Sequence, residues 1–179
     1  NQDVFNIVID ELKERMNEKP AAKYWSVSQN DTYKACEFDE CKQLYQQYGG
    51  YSGAMIWFVN RIAAQFPDKI ISTLAYQYTR SAPFNIKPAD NVNIMFCSIE
   101  CNRSRSLASD SLSASFRKDA EDWCALTDNI FMWRRGAAPS AGWAGSRGCP
   151  RQTRACRDCR EMPAATPGYR YGRGCERWI

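Results

Sequence analysis

The sequence contains no histidine among its 179 residues. That absence excludes Ser-His-Asp and Cys-His catalysis and every His-ligated metal site. No run approaches the roughly 18 consecutive apolar residues of a membrane span, so no transmembrane helix is expected. No apolar leader-like run follows Asn1, so the chain reads as an internal fragment or a mature form. Neither GxGxxG nor GxxxxGK[ST] occurs, which removes the usual phosphate-binding loops. With no imidazole, a zinc site would have to gather Cys or carboxylate ligands from distant segments, so no metal and no cofactor are expected.

Apolar residues make up 44% and charged residues 25%, values of a globular chain rather than a disordered one. The net charge of +4 hides an asymmetry. Residues 1–133 carry 14 basic and 17 acidic side chains, whereas residues 134–179 carry ten Arg, no Lys and three acids. The first part is mildly acidic and gives no reason to expect nucleic acid. The second part holds seven Gly, seven Ala, four Pro and four Cys, with Met162 and Ile179 its only aliphatics beyond Ala. It cannot bury enough apolar surface to offset chain entropy, so disorder is expected. Its composition also suits GC-rich DNA translated out of frame, which predicts a frameshift-derived tail. An Arg-rich RNA-binding tail and a Cys149/Cys156/Cys159/Cys175 zinc site are competing readings.

Within residues 1–133 the patterns alternate between helix and strand. Residues 3–19 predict a helix with an apolar stripe at Val4, Ile7, Val8, Leu12 and Met16, stopped by Pro20. KYWSVS at 23–28 predicts a strand running into Gln29-Asn30-Asp31. Residues 37–48 predict a short helix closed by Gly49-Gly50. Ser52 then caps a helix with Met55, Ile56, Val59, Ile62, Ala63 and Phe66 at helical spacing. IISTLAYQY at 70–78 and VNIMFCSI at 92–99 predict strands separated by a loop with Pro83 and Pro88. Residues 104–113 are polar and serine-rich, 115–126 predict a helix with Phe116, Ala120, Trp123 and Cys124 on one side, and 129–133 begin a fourth strand. Short, mostly apolar strands between helices predict a parallel sheet covered on both faces. The class expected is α/β, a fragment of a TIM-type (β/α)8 barrel with an irregular C-terminal tail.

Three strands in series end in polar groups: Asn30-Asp31, Tyr76/Tyr78 and Glu100-Cys101-Asn102. A barrel carries its site on that edge. Asp31 and Glu100 are the natural carboxylate pair. A separation of about 5–5.5 Å suits a retaining glycosidase, and roughly 6.5–9.5 Å an inverting one. The bland reading has Asp31 capping a turn and Glu100 paired with Arg103 or Arg105. Asp39-Glu40 fall in a first helical turn, where acids complement the dipole. Trp25, Tyr76, Tyr78 and Trp133 lie in or beside strands, where aromatic faces can stack on sugars. Strand alternation places Tyr76 and Tyr78 on one face and Gln77 on the other. Trp57 and Trp123 lie in helices and read as packing. Cys36 and Cys41 flank EFDE and can be bridged, metal-bound or free. A Cys nucleophile without a His base is disfavoured.

The runs YWSVSQNDTYKACEFDEC, SGAMIWFVNRIA, PDKIISTLAYQYT and PADNVNIMFCSIECNRS, through DNIFMW, carry a resemblance across residues 1–133. The chain resembles the domain of unknown function 4838 of secreted glycan-degrading bacterial proteins. Part of that group is classed with glycoside hydrolase family 163, endo-β-N-acetylglucosaminidases. The resemblance implies a TIM-type barrel, retaining hydrolysis, a glycan substrate containing N-acetylglucosamine, and a parent protein in the periplasm or on the cell surface. It implies catalysis by Glu100 as general acid/base and by Asp31 as nucleophile-like group or orienter of the substrate acetamide. Asn30, Tyr76, Tyr78 and Asn102 become the substrate-binding candidates. The chain departs from the family pattern by lacking the first half of the barrel and by its Arg-rich tail, so on its own it is expected to be inactive. A non-catalytic carbohydrate-binding module and an α-glucuronidase-like hydrolase, with Arg80 or Arg103 reading a substrate carboxylate, are the alternatives.

Overall fold

The computed structural model describes residues 1–102, 104 and 110–133. The expectations for the tail, Arg103 and Arg105, and the Trp133 side chain lie outside the described residues. The elements run α1 (Gln2–Glu18), β1 (Tyr24–Ser26), α2 (Asp39–Tyr48), α3 (Tyr51–Ala63), β2 (Ile70–Ala75), β3 (Val92–Cys97), α4 (Ala114–Leu126) and β4 (Ile130–Trp133). Single 3₁₀ turns follow β2 at Gln77–Thr79 and precede α4 at Ser111–Ser113.

The four strands form one parallel sheet in the order β1-β2-β3-β4, with β1 and β4 at its edges. Strand order follows chain order without reversal. Right-handed crossovers made always in one direction put their helices on one side of a sheet. The burial agrees. Ile71 and Ala75 of β2, and Val92, Ile94 and Phe96 of β3, are all at most 1% exposed and share one core with α1, α3 and α4. On the opposite face Ile70, Leu74 and Met95 are half-buried, whereas Ser72, Asn93 and Cys97 are buried. Helices α1, α3 and α4 thus pack on the first face, and the second is partly buried. That second face also carries a polar row: Ser72 Oγ donates to Asn93 Oδ1 at 3.3 Å, and Asn93 Nδ2 to Asn129 Oδ1 at 2.7 Å.

Helix α1 packs through Phe5, Ile9, Leu12 and Met16. This stripe is rotated from the expected one: Val4 and Ile7 are 49% and 60% exposed. Phe5 wins the core position because its ring has partners there, Phe58 edge-on at 6.2 Å and the Arg61 guanidinium 4.4 Å above it. Between α2 and α3 the chain turns sharply. Gly49 ends α2 in the left-handed region, at φ 80°, where glycine carries no steric penalty. Gly50, not Ser52, occupies the N-cap of α3; Ser52 lies inside the helix and is buried. Gly53 is fixed by packing, because a Cβ there would sit 1.9 Å from the Tyr48 carbonyl oxygen.

Strand β2 stops at Ala75, three residues short of the expected end. Gln77 adopts φ 50°, the one positive-φ non-glycine residue described. The 3₁₀ turn therefore breaks the alternation that would have set Gln77 opposite Tyr76 and Tyr78.

Candidate functional site

Because β1, β2 and β3 are parallel and in register, the segments that follow them emerge on one edge of the sheet. The segment after β2 sits between the other two, and its side chains reach both ways. Gln77 Nε2 donates to Asp31 Oδ1 of the β1 loop at 3.2 Å. Arg80 Nη1 donates to Glu100 Oε2 beyond β3 at 2.5 Å, and Arg80 Nε to Asp119 Oδ2 of α4 at 2.6 Å. Residues 76–80 thus tie down both carboxylates that the sequence singles out.

A buried node fixes this segment. Thr79 is 1% exposed, and its Oγ1 accepts from Gln29 Nε2 at 2.7 Å and from the Tyr76 amide at 3.3 Å. Gln29 Nε2 also reaches the Tyr76 carbonyl at 3.1 Å, joining the β1 loop to the β2 turn. The indole N–H of the buried Trp123 donates to the Arg80 carbonyl at 2.7 Å and anchors the far end. The carboxamide oxygens of Gln29 and Gln77 have no hydrogen-bond partner among the described residues.

Asp31 is exposed, and its carboxylate is near enough to the Tyr76 hydroxyl to act on it electrostatically. Burial first, and then the Asp31 carboxylate, raise the Tyr76 hydroxyl above its ordinary range, so it stays a neutral hydrogen-bond donor. Burial opposes the charge on Arg80, but its hydrogen bonds to Glu100 and Asp119 outweigh that, and the net shift is upward. Asp119 is 8% exposed and depends on this guanidinium for its partner. Glu100 is therefore paired with Arg80.

The other candidates are placed less directly. Asn30 is exposed, and its carbonyl accepts from the Thr32 amide at 2.8 Å in a tight turn. Tyr78 meets Tyr51 edge-on at 5.9 Å, and burial raises its hydroxyl. Asn102 closes a local turn: its Oδ1 accepts from the Ser104 amide and its own amide donates to Ser113 Oγ, each at 3.0 Å. Trp25 is half-buried, with its indole N–H on the Ala22 carbonyl at 3.3 Å. Trp57 stacks on Tyr48. Burial, with Glu100 nearby, pushes the Cys97 thiol up to about 12, which leaves it inert as a nucleophile at neutral pH. Among the described residues no group of three or more Cys, Asp or Glu side chains is arranged to hold a metal.

Sequence patterns did not reveal the roles of Gln29, Gln77 and Asp119, or the clamp made by Arg80. The available signal was a charged residue two positions after a strand-end tyrosine, with an acid after each neighbouring strand.

No helix among the described residues is long and apolar enough to cross a membrane. No curated protein and no solved structure matches the chain. The match to one family is extensive: residues 1–135 fit the family described as Domain of unknown function (DUF4838), and the chain belongs to that family.

Proposed function

We propose that this domain carries part of a glycoside-hydrolase site acting on N-acetylglucosamine-containing glycans, outside the cytoplasm of a bacterium. The observation that carries the reading is the clamp: one segment at the end of β2 binds Asp31 through Gln77 and Glu100 through Arg80. Two carboxylates held on one edge of a parallel sheet are what acid/base or acid/nucleophile cleavage of a sugar bond requires. The strained backbone at Gln77 adds support, since non-glycine residues in the left-handed region concentrate at functional sites. The unreversed strand order and single helical layer suit an arc of a (β/α)8 barrel, whose site lies on this edge.

In this reading Glu100 is the general acid/base. Asp31 orients the substrate acetamide or acts as the nucleophile, and the neutral Tyr76 hydroxyl donates a hydrogen bond to the group Asp31 positions. Asn30, Tyr78 and Asn102 surround the substrate. The α-glucuronidase-like alternative needs a cation for the substrate carboxylate; Arg80 is already shared between two acids, and Arg103 lies outside the described residues.

The test uses an intact relative whose sheet closes on itself, with the residues matching Glu100 and Asp31 changed to Gln and Asn. Turnover is expected to fall by about 10²–10⁴-fold in the Glu100→Gln form while glycan binding persists. Unchanged turnover contradicts the assignment. Binding without turnover in any form transfers the site to a non-catalytic carbohydrate-binding module.

A further inference from the structure

Cys36 and Cys41 lie outside the clamp. Cys36 is exposed at the end of the segment that leaves β1 and carries Asp31; Cys41 is half-buried in the first turn of α2. Both are unbridged, and the two thiols are near enough to shift each other's titration. The contact is held from outside the pair. The Tyr45 hydroxyl donates to the Cys36 carbonyl at 3.1 Å, and the Tyr45 ring packs edge-on against Tyr51 of α3 at 4.6 Å. The backbone of Cys36 is thereby pinned over the helix that presents Cys41. Metal binding is not served, since no third ligand stands beside the pair among the described residues.

We propose that Cys36 and Cys41 are a thiol–disulfide site that reacts with a small-molecule disulfide and, once oxidised, fastens the Asp31-bearing segment to α2. The Cys36 thiolate attacks one sulfur of the small disulfide, forming a mixed disulfide and expelling one small thiolate. Cys41, deprotonated, then attacks the Cys36 sulfur and expels the second. The protein dithiol loses two electrons and two protons, and one small disulfide becomes two small thiols. The order of attack follows from access, because Cys36 is the more exposed sulfur. It follows also from the proximity of the two thiols, which draws the Cys36 thiol below its ordinary range and raises that of Cys41.

The test is to equilibrate the full 179-residue chain with oxidised glutathione, block remaining thiols, and map linked peptides by mass spectrometry. The expected product is a Cys36–Cys41 disulfide, with little glutathione left on either residue. In Cys41→Ser the glutathione adduct at Cys36 is expected to accumulate about tenfold or more over wild type, because nothing resolves it. A wild-type chain that retains glutathione on Cys36, or that joins Cys36 to a cysteine other than Cys41, overturns the proposal.

Discussion

The Arg80 side chain pairs with two acids from different parts of the chain. Its guanidinium reaches Glu100 beyond β3 and Asp119 of α4, and the Arg80 backbone carbonyl accepts from the Trp123 indole of the same helix. Removing the guanidinium strands Asp119 in a buried position. Breaking a fully buried pair costs about 3–5 kcal/mol, and the 21% exposure of the Arg80 side chain lowers the expectation for Arg80→Met to about 2–4 kcal/mol. Urea unfolding checks this. Adding Asp119→Leu is expected to recover most of the loss, since an apolar pair no longer buries a lone charge. A double variant as unstable as the single one contradicts the pairing account. None of this was legible beforehand. Arg80 and Asp119 are 39 residues apart, and Gln77 and Asp31 are 46 apart, so each contact depends on the register of the sheet and not on local pattern.

Secondary structure was more readable than its phase. Apolar periodicity located every helix and strand described, because β-branched and aromatic runs alternate with helical spacing and Gly or Pro punctuation. Helix α1 shows what periodicity leaves open. The expected stripe of Val4, Ile7, Val8, Leu12 and Met16 holds at Leu12 and Met16, with Val8 at its margin, but Phe5 and Ile9 take the core positions instead of Val4 and Ile7. The choice rests on the packing partners Phe58 and Arg61, which local pattern does not supply. Phe5→Ala is expected to cost about 3–5 kcal/mol. Ile7→Ala, on the exposed side, should stay within about 0.5 kcal/mol. Thermal or urea unfolding that ranks them the other way contradicts the observed face. Strand β2 was overextended for a related reason. Tyr76 and Tyr78 favour strands, yet Gln77 takes a left-handed conformation and its amide reaches Asp31.

For the molecule as a whole, a parallel sheet in unreversed order gathers the β1, β2 and β3 loops on one edge, and the β2 loop clamps the acids of its two neighbours. The acids themselves were readable as strand-end residues; the clamp required the fold. The described sheet has β1 and β4 at its edges, so glycan binding by the isolated chain is expected to be weak and localised at the clamped edge. The most direct measurement is an amide NMR titration of the 179-residue chain with an oligosaccharide ending in N-acetylglucosamine. The account predicts shifts concentrated at Asn30, Asp31, Tyr76, Gln77 and Glu100, and weakened by Gln77→Ala. Saturating ligand that leaves these amides unmoved, or that shifts only the α1 and α3 surface, would contradict it.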